Sequence, residues 1–498
     1  MNHYKKLKRS SLFLRLFSAA LVILLLPSCN KFLEHLPDQR TELNSPAKVS
    51  ELLVTAYPQG NYICFNEAMS DNATDNFGAA QVDAFNTEPY FWRDVLETQQ
   101  DSPDYYWNSC YRAIAAANQA LDAIENAPNP EAYRAQKGEA LVCRAYAHFM
   151  LVTLFAKTYN PATADSDPGI PYVLEPEVVV FKQYDRNTVK YVYEKIEKDL
   201  QEGLPLIDDS KYKVPRFHFN RNAARAFAAR FYLFKREYDK VIQYATEAFP
   251  SGNWIQNMRP WLTTYQDYSS TELGLNYVKT SENANLLLAS TVSRVGRYFY
   301  RWRYNTSENL IKRITFNGYP SPAGPNLVFA YKTWYQTSFR GIYYVRKFSE
   351  HFVRTSINAT TGTAYTMVPL FTTEELLFNR AEAYASKGEL NNAINDVNIF
   401  LSARIKGYSA ATHSLTKVKA AEFYNTSDTA AAIVKAVLDL KRAEFVHEGM
   451  RWFDILRHDI PVTHTHVDGS SQTLEPGDPR RILQIPQEAA KIIGSNPR

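Results

Sequence analysis

Two twelve-residue stretches of this chain lie over each other without a gap, FYLFKREYDKVI at 231–242 and AYASKGELNNAI at 383–394. Each holds a Tyr, a Lys-containing turn three residues later and an Ile that closes the frame. Small residues on one helix face let a neighbour approach closely, which is how tetratricopeptide-like helix pairs stack. Other stretches take the same form. Residues 103–126 carry Trp107, Tyr111, Ile114, Ala117, Leu121 and Ile124 at helical spacing and stop at Pro128 and Pro130. Residues 132–158 follow with Ala140, Cys143, Ala147, Met150, Leu151 and Leu154, so a short Pro/Asn turn joins two antiparallel helices. A second pair is expected over 188–206 and 220–249, and a third over 373–403. The pairs are few, degenerate and far apart. They predict a mainly α fold in which tetratricopeptide-like helix pairs form one globular scaffold, not a regular solenoid.

Between the second and third pairs the composition changes. Residues 250–370 are rich in Tyr, Trp, Thr, Asn, Gly and Pro, which predicts a loop-rich lobe with short strands. Residues 60–100 are similar. Irregular segments on a rigid scaffold are where binding residues usually sit. The chain holds 33 Tyr against 28 Phe, and Tyr, with an apolar face and a polar tip, suits surface use.

The amino terminus constrains location. Lys5, Lys6, Lys8, Arg9 and Arg15 stand without an acid before an apolar run from Leu16 to Leu26, the order of a bacterial export signal. The run ends Leu26-Pro27-Ser28-Cys29, a lipoprotein processing site in which the Cys29 thiol would receive a diacylglyceryl group. Residues 1–28 are then a signal peptide, and lipid on Cys29 would tether the protein to a membrane without spanning it. No later segment approaches about 18 consecutive apolar residues. Losing the signal takes the formal charge from +4 to slightly negative, which removes the composition-level support for nucleic-acid binding. The later cysteines, Cys64, Cys110 and Cys143, fit no zinc spacing, and the last two lie in apolar helical stretches as buried hydrophobes.

Catalytic signals are weak. The stretch LKRAEFVHEGMRWFDILRH at 440–458 offers Glu444, His447, Glu448 and Asp454 as an acid/base cluster. It reads better as a packed helix in which Glu448 pairs Arg451 and Asp454 pairs Arg457, three positions on. Phe445, Trp452 and Leu456 would bury, and Gly449 would admit a neighbouring helix. His447-Glu448 lacks the second histidine of a zinc-protease helix. His464 and His466 read as solvated loop residues, and Asp165-Ser166-Asp167 as a turn before Pro168-Gly169. There is no nucleophile elbow, phosphate loop or dinucleotide fingerprint. The expectation is a protein that is not an enzyme, with no catalytic residue, metal or cofactor. A glycosidase pair of carboxylates is defined only by distance in space and stays open.

Arg297-Tyr298-Phe299-Tyr300-Arg301-Trp302-Arg303-Tyr304 has two readings. As a strand it points Tyr298, Tyr300, Trp302 and Tyr304 one way and Arg297, Phe299, Arg301 and Arg303 the other. Either the rings pack on the helices and leave the arginines in water, or one face is a ligand platform where sugar C–H faces stack. The same two readings apply to Phe91-Trp92 and Asp71-Asn72.

The 440–458 stretch resembles the signature near the carboxyl terminus of the SusD/RagB family. Five others are similar to that family in the right order: CNKFLEHLP after the lipid cysteine, WNSCYRAIAAANQAL, GEALVCRAYAHFMLVTLFAKTYN followed by PGIPYV, LLFNRAEAYASKGELNNAINDVN, and a closing RRILQIPQEA. The resemblance implies four tetratricopeptide-like pairs and an outer-membrane lipoprotein facing the cell exterior. It implies a SusC-like TonB-dependent transporter as partner, and capture of oligo- or polysaccharide or, in one branch, peptide. It also places ligand contacts before the first paired helix, about 70–93, and in the loop-rich middle. The expected division is a signal at 1–28, a tether and first helix at 29–60, and helical pairs with a binding loop at 61–250. A ligand-side lobe at 251–370 and a carboxyl-terminal helical region at 371–498 complete it. A helical envelope scaffold that binds no nutrient is the competing reading.

Overall fold

A computed structural model describes residues 42–78, 81–177, 183–316, 319–337 and 341–498. The expected signal peptide and Cys29 lie outside them. Short helices α1 (Pro46–Leu53), α2 (Ile63–Met69) and α3 (Ala84–Tyr90) precede the first long pair, α4 (Pro103–Glu125) and α5 (Arg134–Phe155). The Ser102 side chain accepts from Tyr105 N, and Pro103 occupies the first turn, where a missing N–H costs nothing. The span Pro130–Phe155 is long and apolar enough to cross a membrane, yet it is buried inside the protein as the central core element.

Helix α6 (Val189–Gly203) packs against α5. The expected single helix over 220–249 is instead two, α7 (Arg221–Lys235) and α8 (Tyr238–Ala248). They are divided because Arg236 adopts the left-handed conformation, φ 62°. Beyond α9 (Glu308–Thr315), helices α10 (Thr373–Ser386) and α11 (Leu390–Ser402) repeat that geometry. Gly388, at φ 79°, occupies the position of Arg236 in the overlaid stretches. In both, the residue after the turn donates back to the tyrosine carbonyl at 2.9 Å, Glu237 to Tyr232 and Glu389 to Tyr384. This is the Schellman closure of a helix end.

Rings from successive layers fill the core. Tyr146 on α5 meets Phe227 on α7 at 5.5 Å and Phe371 at 5.6 Å, and Phe149 meets Phe231 at 6.0 Å. Buried ion pairs join one helix pair to the next. Arg144 is bidentate to Asp199 on α6 at 2.7 and 2.8 Å, and Arg230 to Glu375 on α10, both contacts at 2.6 Å. Such pairs specify which helices meet more than they add stability. Cys64, Cys110 and Cys143 are free and buried.

The 440–458 stretch is two helices, α12 (Thr429–Glu444) and α13 (Arg451–His458), separated by a turn in which His447 and Gly449 both have φ 71°. The expected Glu448–Arg451 pair is therefore not made. Glu448 accepts from Lys347 and from Tyr277, both at 2.7 Å, and Arg451 turns to Asp71. Asp454 and Arg457 do pair, at 2.8 Å. A side chain at Gly449 would place Cβ 2.9 Å from Ile63 Cα, so the glycine admits α2.

The strands lie in small antiparallel sheets, among them β1 (Ala73–Asp75), β2 (Asn285–Val292), β3 (Tyr304–Thr306), β4 (Trp334–Gln336), β5 (Ile342–Tyr344), β6 (Glu350–Arg354), β7 (Gly362–Thr372), β8 (Val462–Thr465) and β9 (Ser471–Leu474). β7 lies between β2 and β6, while β1 pairs with β3, β4 with β5 and β8 with β9. Residues 297–303 are not a strand. Asp101 accepts from the Ser293 hydroxyl and from Arg294 N, and Ser293 Oγ accepts from Val295 N. These bonds start a helical turn over 295–298 and delay the strand to Tyr304.

Candidate ligand-binding face

The β1–β3 ribbon brings the two suspected binding regions together. Ala73 lies opposite Thr306, Thr74 opposite Asn305 and Asp75 opposite Tyr304. The Asn86 side-chain amide holds the Tyr304 backbone from both ends, donating to its carbonyl at 2.7 Å and accepting from its N–H at 3.1 Å. Gln81 extends the pairing, its N–H donating to Arg301 O and its carbonyl accepting from Arg303 N.

Most of the suspected residues build this ribbon from beneath. Asp71 is bidentate to Arg451, and Asn72, fully buried, accepts from Arg442 Nε at 2.7 Å. Trp92, at φ 50°, is buried, donates to Met69 O at 3.1 Å and stacks on His464 at 4.5 Å. Trp302 is buried and donates to Asp83 at 2.8 Å; Tyr300 stacks on Tyr344 at 4.2 Å; Tyr304 stacks on Tyr90 at 4.3 Å. For these rings the packed arrangement holds. Tyr298 is half-buried against Trp302, and Arg297 is exposed and ion-paired with Glu350.

His464 fastens the arrangement. Its Nδ1 lies 2.8 Å from Tyr90 O and its Nε2 2.9 Å from Ser70 O, with its ring between Tyr90 and Trp92. It is buried rather than solvated, and both nitrogens are engaged by carbonyls, which leaves neither for a metal. Among the described residues no group of three or more His, Cys, Asp or Glu could hold a metal ion.

On this base stand Phe91, which the sequence singles out, and the exposed rings of Phe77, Phe316 and Tyr335, which it does not. Phe77 is 60% exposed, with the Arg303 guanidinium 5.5 Å from its ring. Half-buried Phe91 stacks on His466 at 5.1 Å, meets Tyr304 edge-on at 5.5 Å and carries Arg93 at 4.6 Å. A second group joins Phe316 and Tyr335, 53% and 51% exposed, to Tyr343 at 5.2 and 4.7 Å. Tyr300 and Tyr304 connect the groups; their Cα atoms are four steps apart, so roughly 14 Å is the most that can separate them. The available signal was weak for Phe77 and Phe316, single rings beside Asn and Gly with no periodic partner.

Electrostatics here are set by pairing. Burial pushes the Asp71 carboxyl up, but Arg451 and Arg442 outweigh it and hold it at about 2. The hydrogen bond from Arg303 to Asp75 raises that guanidinium further. Glu67, beneath the ribbon, accepts from Gly449 N at 2.9 Å and from Asn72 and Thr306 at 3.4 Å. Burial outweighs those bonds and pushes it up to about 7.

Residues 31–233 match a family described as starch-binding and associating with the outer membrane, and residues 292–480 match the SusD family. No curated protein matches. Solved structures share the fold. A SusD-like carbohydrate binding protein from Bacteroides vulgatus is 15% identical with a TM-score of 0.65, over 90% of this chain and 96% of that one. A SusD superfamily protein from Bacteroides thetaiotaomicron is 20% identical with a TM-score of 0.64, over 91% and 100%. A laminarin binding SusD-like protein is 17% identical with a TM-score of 0.58, over 91% and 99%.

Proposed function

Because the chain belongs to the SusD/RagB family, we propose that it is a lipid-anchored protein of the outer membrane that captures oligo- or polysaccharide at the cell exterior and delivers it to a TonB-dependent transporter. The observation that carries this reading is a set of rings, Phe77, Phe316 and Tyr335 exposed and Phe91 half-buried, with guanidinium groups beside Phe77 and Phe91 on a buried base. Sugar rings stack their C–H faces on aromatic rings, and polar groups fix the hydroxyls. The similar structure named for laminarin binding supports the ligand class, and the Cys29 processing site supports the anchor. The action is capture and release without bond breaking, since Asp75 and Glu88 on this face are each held by an arginine.

Affinity electrophoresis of the purified protein across a polysaccharide panel tests the reading. Retardation by at least one polymer is expected, lost in Phe77→Ala while the melting temperature is unchanged. Indifference to every polysaccharide would favour peptide capture or an envelope scaffold. Labelling with radioactive palmitate, lost in Cys29→Ser, tests the anchor, and co-purification with a large barrel protein from native membranes tests the transporter.

A further inference from the structure

The rings of the candidate face stand among cations, and nearly every one of those cations already has a carboxylate. Arg303 is held bidentate by Asp75 at 2.6 and 2.8 Å, and Arg93 by Glu88 at 2.7 Å. Arg297 is paired with Glu350, and Arg294 lies 3.7 and 3.9 Å from Asp83 and Asp101. Beside the second ring group, Lys312 is paired with Glu308 at 2.9 Å. Arg301 differs: it donates from Nε to Tyr300 Oη at 3.2 Å and has no carboxylate partner among the described residues. Four of these five arginines face five carboxylates, so little of their charge is left unpaired to attract a charged polymer.

We propose that Asp75 and Glu88 are specificity-determining residues: by occupying Arg303 and Arg93 they restrict the face to uncharged polymers, leaving Arg301 as the guanidinium that donates to ligand hydroxyls. This rests on the reading of the protein as a polysaccharide binder. A polyuronate or sulfated polymer carries a charge on successive sugars, and Arg301 can serve only one of them; the others need a guanidinium that is already taken. To reach Arg303 it must displace a carboxylate that is only 4% exposed from a two-pronged pair, or else lie beside that carboxylate unpaired. A neutral sugar meets neither cost. It stacks on Phe77 or Phe91 and accepts from Arg301. The Glu88 pair is more exposed, with side chains 57% and 30% accessible, so it screens more weakly than Asp75 does.

Affinity electrophoresis with laminarin, soluble starch and xylan, and with the carboxymethylated and sulfated form of each, at low and high salt, decides it. The wild-type protein should be retarded by at least one neutral polymer equally at both salts, and by no charged form more strongly. Asp75→Asn and Glu88→Gln should each gain affinity for the charged forms at low salt, by about tenfold. Arg301→Ala should weaken the neutral polymer by about tenfold. Should Asp75→Asn fail to fold, Glu88→Gln carries the test. Preference of the wild-type protein for a charged form, or no gain in a folded variant, overturns this inference alone. Retardation by nothing in the panel overturns the polysaccharide reading and takes this inference with it.

Discussion

Asp71 and Arg451 stand 380 positions apart in the chain and close a bidentate ion pair at 2.8 and 2.9 Å, tying the loop that enters β1 to helix α13. The pair holds the Asp71 carboxyl at about 2, below its value in the unfolded chain. Its stabilisation is therefore full above about pH 4 and is lost as pH falls through about 2. Asp71→Asn should cost about 2–3 kcal/mol at neutral pH and much less near the acid limit. Urea melts at the two pH values check it, and an equal deficit at both would refute it.

Glu67 titrates in the opposite sense. Its folded pKa, about 7, lies above the unfolded value, so the stabilising contribution is full at acid pH and is lost as pH rises through about 7. Each unit between the two values is worth roughly 1.4 kcal/mol. Wild-type stability should fall between about pH 4.5 and 8, whereas Glu67→Gln should be nearly flat over that interval and more stable at its upper end. Thermal melts across the range measure both slopes.

Trp92 and Phe77 should separate structure from binding. Trp92 is buried on His464, so Trp92→Ala should cost about 3–5 kcal/mol and disturb binding through the loop. Phe77 is exposed, and Phe77→Ala should shift stability by no more than about 0.5 kcal/mol while abolishing polysaccharide retardation. Equal effects of the two substitutions on folding would contradict these placements.

Left-handed residues give a graded series. Gly449→Ala meets the Ile63 backbone as well as an unfavourable φ, and should cost at least about 3 kcal/mol. Gly388→Ala has open space and should cost only about 1–2 kcal/mol. At the equivalent turn, Arg236→Gly should stabilise by up to about 1 kcal/mol, because the exposed arginine pays for a conformation glycine adopts freely. Chemical denaturation of the three variants should reproduce this order.

Local physics made much of the scaffold legible. Pro103 and the Ser102 cap mark the start of α4, the small residues of the overlaid stretches mark the helix pairs, and Gly449 marks a close approach. The break at Arg236 was readable only through its alignment with Gly388, since arginine carries no turn signal. The face was harder. Alternation of rings and arginines over 297–304 suggests a strand, but Asp101, 192 positions from Ser293, turns the chain into a helix first. Trp92 looks like a platform until His464 arrives from the far end of the sequence to cover it. Burial imposed by distant partners has no local period, so which rings face solvent was not visible in the residues themselves.

The ribbon of β1 and β3, with His464 pressed beneath it, gathers its parts from the first, middle and last portions of the chain. As the chain is made, the pairs α4–α5 and α7–α8 are complete long before the carboxyl end emerges, but Trp92 has nothing to lean on until residue 464 is through. A chain clipped upstream of that histidine would keep those early pairs and lose the underside of the ribbon, which makes the candidate face a report on an intact molecule.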